Sequence, residues 1–199
     1  MIQDGLSVAI FADDPALLEV ARYWSGKRNG RMLPGRADID PLELSTGVWP
    51  NLLLTEPVPE SAAMRYRLVG SAHVERYTFD FTGKTTAEIM QGSYRDYMER
   101  IYRTCLDEAA PVYSESVFRW DDADYAHGHS STRRLMLPVS LGDPDRAAQI
   151  LSVQVWPMRM RDLRSVTELS RNSDYCDGAF TLLDRDSFQP IQRDRAAPR

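Results

Sequence analysis

The chain has 199 residues, of which 43% are hydrophobic and 10% aromatic, enough to build a sizeable core and to exclude wholesale disorder. This length favours one domain with extensions over two ordinary domains. A net charge of −5 carries no global signature of nucleic-acid binding, so no nucleic-acid partner is expected. No stretch approaches the about 20 apolar residues of a membrane span, and the N-terminus does not resemble a signal peptide, which favours a cytoplasmic location.

Arginine supplies nearly all of the positive charge: of 24 basic residues, only Lys27 and Lys84 are lysine. Codon bias in a GC-rich genome is the simpler explanation and needs no structural role. The alternative is that some of the arginines make planar, two-pronged hydrogen bonds that lysine cannot make. The composition leaves both explanations open.

The first predicted element is a helix over residues 15–28. Asp14 can cap its N-terminus, Pro15 suits the first helical position, and Asn29 followed by Gly30 can end it. Its apolar side chains are a candidate surface for a protein partner or a homodimer; they include Leu17, Leu18 and Val20. The alternative is that the helix simply covers the sheet.

Alternating apolar residues, capping boxes and turn signals predict five strands and several helices in the rest of the chain. The strands cover residues 52–54, 64–69, 112–120, 132–141 and 147–156. The longest helix covers residues 94–109, with shorter helical stretches at 72–77 and from Thr85. The predicted fold class is therefore α+β: a five-stranded antiparallel sheet with helices on one face, plus the N-terminal helix and a C-terminal tail.

Three blocks of residues stand at spacings that are typical of a known family. The first block contains Tyr23-Trp24, Arg28, Gly30-Arg31, Leu33-Pro34, Arg36 and Asp38-Ile39-Asp40-Pro41. The second contains residues 65–70 (RYRLVG) and Thr82-Gly83-Lys84. The third is residues 134–138 (RLMLP). Together they resemble the signature of bacterial PAS-like domain proteins, which are mostly short, stand-alone chains. The resemblance covers roughly residues 17–156. It implies a PAS fold, a sensory or regulatory role, no catalytic residues and no family-wide cofactor.

The chain is expected to divide into three parts. Residues 1–50 form an N-terminal helical extension and clasp, residues 51–157 form the PAS-like core, and residues 158–199 form a tail that is partly helical and then flexible. This division follows the loss of strong periodicity after residue 158 and the polar composition close to the C-terminus.

Six residues of the first block predict a salt-bridged clasp that holds the N-terminal helix to the sheet. They are Trp24, Arg28, Arg31, Arg36, Asp38 and Asp40. Charges of both signs alternate around a proline-stiffened turn, and Trp24 would supply the apolar anchor. The alternative is that the same arginines form a site for an anion or a protein partner.

Eight residues of the sheet and the long helix are candidates for the lining of a small-molecule pocket. They are Tyr66, Leu68, Tyr97, Met98, Ile101, Phe118, Leu135 and Val153. Ligand cavities between such layers are common in binding domains. A packed core is the alternative, and the sequence does not distinguish the two.

No metal site is predicted, and the cofactor is left unknown. His127-Gly128-His129 is the only histidine pair, and a solvated hairpin loop is favoured over a metal site there. Haem is disfavoured because in PAS domains its ligand usually comes from the long helix, which contains no histidine here; His73 lies before it. Flavin is disfavoured because Cys105 does not lie in the asparagine- and arginine-flanked motif of a flavin photoreceptor.

The sequence predicts a non-catalytic sensory or regulatory module that acts by binding a ligand, a protein partner, or both. Binding would favour one arrangement of the helices and so change the surface that the domain presents. No nucleophile elbow, Walker loop, dinucleotide fingerprint or zinc-protease motif is present. The alternative function is a small-molecule-binding or catalytic α+β domain with a cone-like cavity, whose motif signature is absent.

Overall fold

The computed structural model describes residues 9–122, 125–156 and 175–191 of the chain. Its helices are α1 (Pro15–Arg28), α2 (Ser71–Tyr77), α3 (Thr86–Ile89) and α4 (Gly92–Asp107). Its strands are β1 (Leu52–Pro57), β2 (Met64–Val69), β3 (Val112–Asp122), β4 (Tyr125–Ser140), β5 (Ala147–Val155) and β6 (Tyr175–Leu182). Short 3-10 helices at Arg36–Asp38, Pro41–Glu43 and Trp49–Asn51 link α1 to β1. The strands form one antiparallel sheet in the order β2-β1-β5-β4-β3-β6.

The α+β fold class predicted from the sequence is confirmed, but the sheet has six strands instead of five. The sixth strand, β6, lies in the segment that was expected to be a tail, and it pairs with β3 over seven residue pairs. Asp177 and Gly178 interrupt its apolar pattern, so its conformation depends on the partner strand more than on its own sequence. The helix expected within the tail, around residues 163–169, lies outside the described residues.

Helices cover both faces of the sheet, whereas the sequence predicted helices on one face. Strand β4 shows the arrangement: Leu135 and Leu137 belong to the core under α1, while Met136 belongs to the core under α4. Since side chains alternate along a strand, each central strand contributes to both cores. The layer of α2, α3 and α4 therefore encloses a sheet face that α1 does not touch.

Helix α1 covers the sheet with its apolar side. The Asp14 carboxylate accepts hydrogen bonds from the N–H groups of Ala16 and Leu17 (3.1 and 3.2 Å) and so starts the helix. Leu17 and Val20 are completely buried within the chain itself. The predicted dimer surface is therefore wrong for these two side chains, because they already pack against the sheet.

The C-terminal segment returns to α1 after β6. The buried ring of Phe188 lies edge-on to the rings of Trp24 and Phe11, with centroids 5.9 Å apart in each pair. The N–H of Leu183 donates to the carbonyl oxygen of Pro111 at 2.8 Å. Helix α1 and residues 183–191 thus form one layer on this face of the sheet.

Gly70 lies where the end of β2 passes close to the turn before β1. A Cβ atom on this residue would lie 2.3 Å from the carbonyl oxygen of Pro50. We expect Gly70→Ala to lower the free energy of unfolding by about 3 kcal/mol, because the backbone of the turn would have to move. Urea unfolding followed by circular dichroism measures the loss.

Gly26→Ala is the matched control for this substitution. Gly26 lies inside α1, and a Cβ atom there would meet nothing within 4 Å. Alanine should therefore stabilise the helix by about 0.5–1 kcal/mol. A Gly70→Ala protein as stable as the wild type would contradict the close approach of the two backbones.

Candidate ligand-binding site

Three neighbouring strands place six polar residues side by side on the sheet face that lies under α4. We call this set the inner polar patch: Ser114, Ser116, Thr132, Arg134, Ser152 and Gln154. Each of them is at most 3% exposed. Cross-strand pairing joins Ser114 to Arg134, and Arg134 to Gln154, so the side chains are direct neighbours. The middle of this buried face is therefore polar.

The opposite face of the same strands is apolar. Leu135 and Val153 alternate with Arg134 and Gln154 and pack in the core under α1. A sheet covered on both faces normally carries apolar side chains on both. The polar composition under α4 is therefore a local departure that needs a reason other than packing.

Arg134 is the charged member of the patch and is only 1% exposed. Its Nε donates to Gln154 Oε1 at 2.8 Å, and its two Nη atoms donate to Ser114 Oγ at 3.2 Å and to Tyr94 Oη at 3.5 Å. All three acceptors are neutral, and within the described ranges no carboxylate pairs with this guanidinium. Buried arginines are rare unless paired, because removing the charge from water is costly.

Tyrosines from α2 and α4 lie close to the guanidinium: Tyr77, Tyr94 and Tyr102, all buried. Tyr66 of β2, also buried, joins them through its hydroxyl, which lies 3.4 Å from the hydroxyl of Tyr102. Burial raises the pKa of each of these phenols above its ordinary value. The phenols therefore stay neutral at physiological pH and supply hydrogen-bonding groups without compensating the charge of Arg134.

His73 of α2 lies in the same layer, among the rings of Tyr77, Phe81 and Trp156. Burial lowers the pKa of His73 to about 4, so the imidazole is neutral at physiological pH. Its Nε2 lies 3.1 Å from the carbonyl oxygen of Asn51, which accepts a hydrogen bond and therefore places the proton on Nε2. Nδ1 is then a buried acceptor, and none of the described residues donates to it.

Several other buried polar atoms around the patch also have no hydrogen-bond partner in the described part of the chain. They are Ser116 Oγ, Thr132 Oγ1, Ser152 Oγ, Gln154 Nε2 and Trp156 Nε1. Buried polar groups in folded proteins are nearly always satisfied, and such atoms typically bind ordered water or a ligand. The arrangement offers the chemical groups that a small polar molecule would need: one cation, several donors and acceptors, and an aromatic wall.

The eight predicted pocket residues do not share one face. Four lie in the core under α4: Tyr66, Tyr97, Met98 and Ile101. Leu68, Leu135 and Val153 lie in the core under α1, and the side chain of Phe118 is outside the described part. The eight residues therefore cannot line a single pocket. The prediction chose apolar residues such as Leu135 and Val153. The patch contains their polar neighbours on the same strands, such as Arg134 and Gln154, which point to the other face.

Two of the predicted clasp residues connect α1 to the sheet and to the following turn. The indole N–H of the buried Trp24 donates to the carbonyl oxygen of Pro138 in β4 at 2.8 Å. Arg31 donates to the carbonyl oxygens of Lys27 and Arg28 (3.1 Å each) and to the Asp38 carboxylate at 2.5 Å. The Arg31 guanidinium, with the Gly35 N–H, holds the pKa of Asp38 below its ordinary value.

The other predicted clasp residues are distributed more widely. Arg28 donates to Asp186 Oδ1 at 2.7 Å and to the carbonyl oxygen of Arg185 at 3.0 Å, so it binds the C-terminal segment. Arg36 donates to the carbonyl oxygen of Ile39, and the Asp40 carboxylate caps the next 3-10 helix. The structure thus brings together Trp24, Arg28, Arg31 and Asp38 near the end of α1, while Arg36 and Asp40 act locally. A stabilising role for the set stays a prediction.

Arg31→Lys tests whether arginine is needed at this position. We expect the melting temperature to fall by a few degrees, because a lysine ammonium cannot reach all three acceptors of the guanidinium at once. Arg36→Lys is the control, because the Arg36 guanidinium donates to one acceptor, the carbonyl oxygen of Ile39, which a lysine ammonium could also reach. Equal melting temperatures for both variants and the wild type would favour codon bias as the whole explanation of the arginine excess.

The described part of the chain contains neither a candidate metal site nor a candidate membrane span. No group of three or more His, Cys, Asp or Glu side chains is placed to hold a metal ion among these residues. The side chains of His127 and His129 lie outside the described part, but their backbone belongs to β4, so the expected hairpin loop at this position is wrong. Among the described helices, none has the length and apolar character to cross a bilayer.

The fold and the site define an α+β domain in which a layer of helices encloses a polar sheet face. The model of a PAS domain family matches residues 12–152, most of the chain. The chain therefore belongs to the PAS domain family, whose members are typically sensory, non-catalytic modules. This confirms the sensory class predicted from the sequence, and the alternative of a cone-like catalytic domain gains no support. A comparison with curated proteins gives no match.

Among solved structures, the chain is similar to the Rhodobacter sphaeroides LOV protein, at 17% identity and a TM-score of 0.39. That match covers 58% of this chain and 65% of the LOV protein, just under two thirds of its length. A second similar structure is a light-oxygen-voltage domain described with a flavin analogue, at 13% identity, 55% and 78% coverage and a TM-score of 0.37. At these identities the likeness concerns the fold.

The expectation that flavin is disfavoured is wrong. It depended on one motif around Cys105, whereas the similar solved structures are LOV proteins, one of them described with a flavin analogue. Cys105 itself is fully buried, and burial raises the pKa of its thiol. A motif around one residue does not decide which cofactors a fold accommodates, so flavin is no longer among the excluded classes.

Proposed function

We propose that this PAS domain is a non-catalytic cytoplasmic sensor that binds a small polar molecule between the sheet and the layer of α2 and α4. The inner polar patch is the observation that supports this function. Its residues are buried, yet hydroxyl and amide groups within it have no hydrogen-bond partner among the residues that the structure describes. A bound molecule with matching donors and acceptors would satisfy them and so favour the closed arrangement of the helices.

Helix α4 is the element best placed to report binding to a protein partner. On its inner side, Tyr94 accepts a hydrogen bond from Arg134 of the patch. On its outer side, charged residues including Asp96, Arg100 and Asp107 line a surface groove of about 460 Å³. Movement of α4 would therefore change a charged surface at the same time as the patch, and a partner with complementary charges would detect the change.

Native mass spectrometry of the full chain tests ligand binding directly. We expect the wild type to carry an additional mass, retained from expression or added from a metabolite mixture. Ser152→Leu should reduce that occupancy at least tenfold, because it replaces a buried patch hydroxyl with a larger apolar group. Thr46→Leu is the control: Thr46 is exposed, and its substitution should leave occupancy unchanged.

Two results would contradict this function. One is a wild-type protein that binds no molecule from the mixture at any concentration tested. The other is a molecule that binds Ser152→Leu as tightly as the wild type, since such a molecule would occupy a different part of the domain.

A further inference from the structure

The charge of Arg134 is uncompensated in the described part of the chain. Its hydrogen-bond acceptors are an amide oxygen, a serine hydroxyl and a tyrosine hydroxyl. The nearby tyrosines and His73 are neutral at physiological pH, as shown above by the shifts that burial imposes. A buried cation that is hydrogen-bonded only to neutral groups still lacks the counter-charge that normally repays its desolvation.

The patch also contains more donors than its own acceptors use. A guanidinium has five N–H groups. Arg134 donates three hydrogen bonds to described residues, which leaves two N–H groups for a ligand. Gln154 Nε2 is a buried donor without a partner among the described residues. The hydroxyls of Ser116 and Thr132, which also have none there, form a cross-strand pair two residues from Ser114 and Arg134 on the same face. A cation surrounded by free donors is the composition that binds the oxygens of an anion.

Resting on the proposed function, we propose that the molecule bound at the inner polar patch carries a carboxylate or phosphate group, and that Arg134 binds its oxygens. Two N–H groups of a planar guanidinium match the two oxygens of such a group, which a lysine ammonium does not. The surrounding tyrosines then contact the rest of the molecule. Arg134 is thus the residue that selects anionic ligands over neutral ones.

A structural role and an anion-binding role for Arg134 predict opposite changes in melting temperature when the residue is replaced. If its three hydrogen bonds hold the core together, Arg134→Met should lower the melting temperature of the free protein by several degrees. If the residue is kept for an anion, removing the uncompensated charge should raise it, because an apolar side chain of similar length has no desolvation cost. We expect the increase, and a marked decrease would overturn the proposal.

Isothermal calorimetry on the full chain tests the charge requirement with benzoate, its neutral isostere benzamide, and inorganic phosphate. We expect at least one of the two anions to bind the wild type and to bind Arg134→Gln at least tenfold more weakly. Arg133→Gln is the matched control, since Arg133 is the next residue of β4, faces the other side of the sheet and pairs with Asp13. It should bind the anion like the wild type.

The outcomes separate this proposal from the proposed function. Failure of both anions to bind, benzamide binding as tightly as benzoate, or unchanged anion affinity in Arg134→Gln would each overturn the anionic ligand. If mass spectrometry then finds a neutral molecule whose binding is weakened by Ser152→Leu, the proposed sensory function remains.

Should Arg134→Gln fail to fold, Arg134→Lys takes its place. Lysine keeps the charge, and we expect this variant to bind the anion at least fivefold more weakly than the wild type. Equal affinity would overturn the two-pronged contact.

Discussion

Trp24→Ala should lower the free energy of unfolding by about 4 kcal/mol, the range measured for removal of a large aromatic side chain from a core. Trp24 is completely buried between α1 and the sheet, and its indole N–H donates to the carbonyl oxygen of Pro138 at 2.8 Å. The substitution leaves a cavity and also an unsatisfied backbone carbonyl. A native stability of about 5–15 kcal/mol would lose a large fraction of its total. Urea unfolding followed by circular dichroism measures the change.

The loss should extend beyond α1. The ring of Phe188 packs edge-on against Trp24, so residues 183–191 should also become less protected in hydrogen exchange. Trp49→Ala is the control: Trp49 is half-buried and its indole donates to the nearby Leu44 carbonyl, so the effect should be smaller and local. Unchanged protection of residues 183–191 in Trp24→Ala would contradict the view that the two chain ends form one layer.

Acidification from pH 6.5 to pH 4 should destabilise the protein by about 3 kcal/mol through His73 alone. Burial lowers the pKa of His73 from 6.5 to about 4 in the folded protein. Between these values the unfolded chain binds more protons at this residue than the folded chain does, so stability rises with pH. The loss on acidification therefore starts about one pH unit above 6.5, is largest in slope between pH 6.5 and pH 4, and is complete about one unit below pH 4.

His73→Gln isolates this contribution, because glutamine keeps a donor for the Asn51 carbonyl and does not titrate. Unfolding free energies of both proteins, measured by urea titration at several pH values, should diverge by about 3 kcal/mol across that range. Carboxylates with lowered pKa values, such as Asp38 and Asp184, are common to both proteins and cancel in the difference. Parallel curves for the two proteins would show that His73 is not desolvated as the structure indicates.

Both predictions concern the two layers that enclose the sheet. The layer of α1 and the C-terminal segment is apolar and supports the fold, while the layer of α2 and α4 encloses the inner polar patch. This separation explains how a sensory domain can hold unsatisfied polar groups without losing its structure. The apolar face supplies stability, and the polar face is the one at which we propose that a ligand binds.

The sequence alone predicted the helices and most of each strand over residues 15–156, because capping residues and apolar periodicity act over short distances. It placed the start of β4 at residue 132, whereas the strand begins at Tyr125. The contacts at the end of α1 follow the same rule, since Arg31 and Asp38 are only seven residues apart. The need for glycine at position 70 has a different origin, because it comes from the close approach of Pro50, which lies before β1 and is brought there only by the fold.

Only the tertiary structure decided which side of each strand faces which layer. Period-two alternation predicts two faces but does not say which helix covers either of them, so Leu135 and Val153 were assigned to the pocket in place of Arg134 and Gln154. Strand β6 was missed for a related reason: it pairs with β3 across more than fifty residues of chain, and its own sequence is a weak strand signal. Pairing and layer order depend on contacts between distant segments, and one sequence contains no direct record of them.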